Sequence, residues 1–213
     1  MSHPIFISFY TDSPYYRDCS IKLHDQISSL GGELLYEKIG DTGKYWKNTL
    51  LKPGFILDKM LSLKSDLIWI DADTSIAVYP ECMKKWDSDI ILASHTGTLE
   101  GIKASPIGLK YNERVIEFVK SWAKSSVSKI ETNELDMDHD VMKYEILPEF
   151  KDRISIELMK CVYEFVDFTN GRVIQNGISR SVNKGNDVRV ITDKNRKRDS
   201  MFNSLSLHNF KNG

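Results

Sequence analysis

Leu67-Ile68-Trp69-Ile70-Asp71-Ala72-Asp73-Thr74 is the stretch whose reading decides the fold of this chain. Four consecutive apolar residues read as a strand covered on both faces, because a strand with one wet face would alternate apolar and polar positions. That strand delivers two carboxylates, two residues apart, at its C-terminal end. Carboxylates beside an apolar run are costly to desolvate unless something pairs them. Two hard oxygen donors in this place can hold Mg²⁺ or Mn²⁺ against a diphosphate. The alternative is an acidic surface turn in which Asp71 bonds the backbone that follows it.

Upstream, Lys52-Pro53-Gly54 opens a helix with Ile56, Met60 and Leu63 on its apolar face. Residues 4–10 (PIFISFY) read as a first buried strand, broken at Thr11-Asp12-Ser13-Pro14. Asp12 or Ser13 is placed to cap the next helix, with Pro14 at its first position. Tyr16, Cys19, Ser20, Leu23, Ile27 and Leu30 carry that helix to Gly31-Gly32. Residues 33–39 read as a second strand. Downstream, 89–93 (DIILA) is a further strand, and Val115, Phe118, Val119 and Trp122 mark an amphipathic helix. Residues 138–142 start another helix, and 162–168 and 188–192 are strand-like pieces among Gly/Asn turns. The alternation predicts a single α/β domain over 1–213, with a mixed, mostly parallel sheet flanked by helices. That domain would divide at about residue 100 into two halves, 1–100 and 101–213. In such sheets ligands lie beyond the C-terminal strand ends, where Asp12 and Asp71 are both expected.

A net charge of −1 gives no field to draw nucleic acid or a membrane surface, and neither is expected as a partner. Lys194, Arg196, Lys197 and Arg198 form the densest basic run; it reads as a solvated loop, with a phosphate contact as the alternative. Cys19, Cys82 and Cys161 show no metal-binding spacing, so reduced, buried thiols are expected. No apolar stretch approaches the length of a membrane span, and the N-terminal residues lack the pattern of a secretory leader. A cytoplasmic location is expected, that of the host if the protein is viral.

Residues 52–80, KPGFILDKMLSLKSDLIWIDADTSIAVYP, resemble the core of the GT-A nucleotide-sugar glycosyltransferases, especially the glycogenin-like branch: a Lys-Pro helix, a buried strand, then D-x-D. In element order the resemblance runs over about residues 4–145. It implies the GT-A fold, with a nucleotide-binding half over about residues 1–100 and a half for the sugar and the acceptor over 101–213, a UDP-sugar donor, a glycan or protein-linked acceptor hydroxyl, and Mn²⁺ or Mg²⁺ as cofactor. Asp73 would ligate the metal, and Asp71 would touch the ribose or the metal. Lys52 would lie near the nucleotide or hold the acidic pair, and Thr11 and Asp12 would lie near the base. His208 is similar to a late histidine that completes the family's metal site; a surface histidine is the alternative. The length and the Asp-Ala-Asp form are similar to capsid-glycosylating members from chlorella viruses, which implies UDP-glucose or UDP-rhamnose as donor and a capsid-bound glycan as acceptor.

Leu135-Asp136-Met137-Asp138-His139-Asp140 sits where related enzymes carry a short acidic motif, often Asp-Gln, with His139 here in place of the amide. Asp138 or Asp140 would bind sugar hydroxyls or act as general base; a helix cap is the competing role. Arg180, after Gly177-Ile178-Ser179, has a guanidinium suited to a diphosphate, or else lies in a surface turn. Residues 94–98 would shape a sugar pocket or form an ordinary loop. Tyr45, Trp46 and Trp86 are candidates to stack on an acceptor sugar; core packing explains Trp86 and Trp122 equally well. Two rival functions share these features. A haloacid-dehalogenase-type phosphatase would use Asp71 as nucleophile in D-x-D-x-T, although that motif belongs after a first strand. The other rival is an inactive nucleotide-binding module.

Overall fold

The computed structural model describes residues 3–94 and 97–159, the strand backbones at 162–164, 174–176 and 210–212, and residues 194, 195 and 198. Arg180 and His208 lie outside the described residues, as do Cys161 and the strand expected at 188–192.

The first half of the chain alternates as its sequence predicts. Strand β1 (Ile5–Tyr10) leads to helix α1 (Pro14–Ser29), β2 (Leu34–Lys38), α2 (Tyr45–Thr49), α3 (Lys52–Leu63) and β3 (Leu67–Trp69). Then come β4 (Thr74–Ile76), β5 (Ile90–Ser94), β6 (Ile102–Leu109) and α4 (Glu113–Thr132). Helix α5 (Asp138–Val141) runs through a π-helical turn at 142–146 into α6 (Leu147–Phe150). Strands β7 (Ile156–Met159), β8 (Val162–Glu164), β9 (Ile174–Asn176) and β10 (Phe210–Asn212) complete the order.

Seven strands form one sheet in the order β10-β7-β5-β6-β3-β1-β2. Only β6 runs against its neighbours β3 and β5; every other pairing is parallel. The C-terminal ends of β1, β2, β3 and β5 therefore share one edge. Strands β4, β9 and β8 form a small second sheet.

The period of two along each strand sorts the core into two layers. Ile7, Leu67, Trp69, Ile90 and Leu92 face one way, against Ile56 and Met60 of α3 and Val115, Phe118, Val119 and Trp122 of α4. Phe6, Ile68, Ile70, Ile91 and Ala93 face the other, against Leu23 and Ile27 of α1. Helices thus cover both faces, which is why Leu67–Ile70 carries no polar position. Pro53 sits in the first turn of α3, where a missing N–H leaves no bond unmade. Asn112 caps α4 by accepting from the Val115 amide at 3.0 Å.

Three expectations change. Ser13 is the N-cap residue of α1 but makes no side-chain cap bond. Cys19 and Cys82 are half-buried rather than buried. Trp46 and Trp86 are core residues, 4% and 3% exposed, and offer no ring to an acceptor.

Candidate active site

Asp71 begins at the point where β3 leaves the sheet, and both neighbours in the sheet shape its surroundings. On one side, parallel β1 ends in Tyr10 and leads to Thr11 and Asp12, so these two open onto the same sheet edge. On the other, antiparallel β6 presents the Ser105 hydroxyl, which accepts from the Asp71 amide at 2.8 Å. Trp69 lies two residues before Asp71, and its indole N–H donates to Asp71 Oδ1 at 2.9 Å. Phe9 and Phe55 brace that indole at 5.2 and 6.0 Å between ring centroids.

Lys52 joins three elements. Its ammonium lies 3.1 Å from Asp71 Oδ1 and 2.6 Å from Asp138 Oδ2, and it donates to the Ala104 carbonyl of β6 at 3.1 Å. The lysine and Asp138 side chains are 7% and 5% exposed, against 37% for Asp71, so the pair is buried and Asp71 spans from it to solvent. Burial alone would strip Lys52 of its proton, but the carboxylates of Asp138 and Asp71 outweigh it and hold the ammonium above its ordinary range. Asp138 is pushed up by burial; Lys52 opposes that shift and the charge on Asp71 adds to it. The Asp138 carbonyl is fixed separately, accepting from the Trp122 indole N–H at 2.9 Å.

Asp73 is half-buried and faces α1. Its charge is felt by Tyr15 and Cys19 of that helix and by Tyr45 of α2. Tyr45 is held protonated far beyond the usual phenol range, by burial first, then by Tyr16 and by Asp71, Asp73 and Asp138. One tyrosine thus senses all three acids, and they converge on one region. Asp71 and Asp138 share the ammonium of Lys52, and Asp73 joins them around Tyr45. Two half-exposed carboxylates at a strand end fit Mg²⁺ or Mn²⁺, which take one or two carboxylates and complete their shell with water and phosphate. Among the described residues no group of three or more His, Cys, Asp or Glu side chains could hold a metal ion.

The other predicted residues divide. Thr11 is buried at the sheet edge, whereas Asp12 is exposed and paired with Lys38 at 2.9 Å. The acidic cluster at 136–140 splits three ways. Asp138 turns to Lys52. Asp140, fully buried, accepts from the Met137 amide at 3.1 Å and from the Asn195 side chain at 2.6 Å. Asp136, also fully buried, is ringed by Lys129, Lys194 and Arg198. Lys194 and Arg198 are therefore not part of a solvated loop; a buried carboxylate draws them in. Of residues 94–98, Ser94 Oγ donates to the Thr98 carbonyl at 2.7 Å, and 95 and 96 lie outside the described residues.

Sequence reading passed over Ser105 and the role of Trp69. The tryptophan was findable, since residues two apart on a strand share a face. Ser105 was not, because its contact with Asp71 spans 34 residues.

No family model matches the chain, and no curated protein matches it in sequence. Solved structures do match in shape. A glycosyltransferase involved in the glycosylation of the major capsid of PBCV-1 superposes with a TM-score of 0.59 at 11% identity, over 95% of this chain and 100% of that one. The glycosyltransferase GlyE of Streptococcus pneumoniae TIGR4 superposes at 0.53 and 12% identity, over 83% of this chain and 55% of that one. The apo form of GlyE gives 0.52 and 13%. At such identities the likeness is one of fold: this single α/β domain has an architecture that glycosyltransferases use.

Proposed function

We propose that the protein is a divalent-metal-dependent glycosyltransferase that moves a sugar from a UDP-sugar to an acceptor hydroxyl. The observation that carries this reading is the buried Lys52 bridge, which gathers Asp71 and Asp138 at the C-terminal sheet edge beside Asp73. The likeness of fold to glycosyltransferases supports it, as does the resemblance of residues 52–80 to the glycogenin-like core.

In this reading Asp71 and Asp73 hold Mn²⁺ or Mg²⁺, with Asp71 turned by Trp69 and Lys52 through its Oδ1. Such a cation, when bound, stabilises the charge that develops on the departing diphosphate. Lys52 keeps two like-charged carboxylates within reach of one another. Asp138 orients the donor sugar or accepts the proton of the attacking hydroxyl. Asp140, held by its capping bonds, supports the helix start that carries Asp138. Thr11 borders the nucleotide. UDP-glucose and UDP-rhamnose are the donors we would try first, with a protein-bound glycan as acceptor.

The D-x-D-x-T pattern also suits a phosphatase. An antiparallel β6 beside β3, and a β3 that is third in the chain, favour sugar transfer. The test is slow hydrolysis across a panel of UDP-sugars with Mn²⁺. At least one donor is expected to be hydrolysed, with the rate lost on chelation and in Asp138→Asn. Hydrolysis of none, or a rate indifferent to chelation, would overturn the proposal.

A further inference from the structure

Asp138 stands between two residues whose side chains point away from the site, and both are held from the far end of the chain. Asp136 Oδ1 receives Arg198 Nη1 at 2.7 Å, and Asp136 Oδ2 receives Lys194 Nζ at 3.0 Å and Lys129 Nζ at 3.3 Å. Asn195 donates to Asp140 Oδ1 at 2.6 Å and accepts from Arg198 Nη1 at 3.4 Å. Lys194 also reaches Glu134 at 3.3 Å and the Leu135 carbonyl at 3.5 Å. Lys129 pairs with Glu134 and Glu145, each at 2.8 Å. Three acids therefore meet three cations, and Asp136 at their centre is 0% exposed. Burying a carboxylate this deeply is offset by the cations that pair with it.

The backbone consequence is specific. Residues 133–137 make the connection from α4 into α5, and with the first turn of α5 they set where Asp138 meets Lys52. Lys129 anchors that connection from α4, inside the same domain layer. Lys194, Asn195 and Arg198 anchor it from a segment more than fifty residues later in the chain. We infer that Lys194, Asn195 and Arg198 form a clasp that positions Asp138 against Lys52 and Asp71. The residues of the clasp touch neither donor nor acceptor; they are positioning residues that act through Asp136 and Asp140. The functional side of this inference rests on the sugar-transfer reading of Asp138; the geometric side does not.

The test is the double variant Lys194→Met/Arg198→Met, with Asn195→Ala as a milder companion that removes only the bonds to Asp140 and Arg198. The first readout needs no donor. The ammonium of Lys52, buried between two carboxylates, is expected to give a slowly exchanging nitrogen-15 signal. In the variants that signal is expected to broaden or vanish, and amide exchange at 137–141 to accelerate, while β1 and β2 keep their spectra. The second readout is turnover of whichever UDP-sugar the parent hydrolyses fastest. There kcat should fall about 10- to 100-fold, with KM within about threefold, as expected for a misplaced catalytic group rather than a lost binding contact. Lys194→Arg should retain turnover. An unchanged Lys52 signal, or an unchanged kcat beside a lowered unfolding temperature, would overturn the clasp. A parent that hydrolyses no UDP-sugar would count against the proposed function alone, and the Lys52 signal would still decide the clasp.

Discussion

Lys52 shows how much one side chain contributes to this site. Its folded-state pKa is raised, so its stabilisation is fully present at neutral pH and is lost only as the pH rises beyond the ordinary lysine value of 10.5. Asp138 is also raised, so its own contribution is lost as pH climbs above the ordinary 3.8. Burial works against the Asp138 carboxylate, and Lys52 works for it. Lys52→Met should lower stability by about 3–5 kcal/mol in denaturant unfolding, because it strands a buried charge. Adding Asp138→Leu should restore much of that loss. If the single variant costs nothing, the pair is not buried as described. A second residue offers an optical check. Tyr15 is pushed up to about 12, by burial first and then by Cys19 and Asp73. One tyrosine in an absorbance titration should ionise near pH 12 and disappear from the curve in Tyr15→Phe. Stability should fall over the same window, from pH 10 upward, since a raised phenol favours the folded state only while protonated.

At the scale of elements, Asp89 does for the sheet what Lys52 does for the site. It lies at the start of β5 and accepts from the Asn112 amide side chain, Arg114, and the Ser155 amide, each at 2.9 Å, joining β5 to α4 and β7. Burial opposes its ionisation, yet the Ser155 amide, Arg114 and Asn112 outweigh it and hold the carboxyl below its ordinary range. Its contribution is therefore present at neutral pH and lost as pH falls below 3.8. Asp89→Asn should lower stability by about 1.5–3 kcal/mol at pH 7, measured by unfolding, and by less at pH 3. The elements nearest the acidic pair were legible. The Lys52-Pro53 helix start, the Leu67–Ile70 strand and the Val115–Trp122 stripe each carry a local signal of period or capping. Strand β6 was not legible. Its sequence, IKASPIGL, holds a proline and a glycine that read as breakers, and it becomes a strand only between β3 and β5. Gly108 is required there because a Cβ would strike Ile91 and lie 3.1 Å from the Trp86 ring. The fate of the 136–140 acids was equally hidden. Which of them meets Lys52, and which meets Lys194 and Arg198, depends on partners at least 55 residues away in the chain.

For the whole molecule, the parallel course of β1, β2, β3 and β5 explains why the site lies where it does. Every loop at that edge opens in the same direction, and the acids collect there without any one element carrying them all. Among the described residues no helix is long and apolar enough to cross a membrane. The fold is one found among glycosyltransferases, but a fold does not choose the chemistry; in the proposed function the acidic pair does. The direct measurement is calorimetric titration of the protein with UDP, with and without Mn²⁺, alongside Asp73→Ala. UDP should bind far more tightly with Mn²⁺ than without it, and Asp73→Ala should abolish the difference. Binding that is equal with and without the metal, or that survives intact in Asp73→Ala, would contradict a metal-dependent transferase built on Asp71 and Asp73.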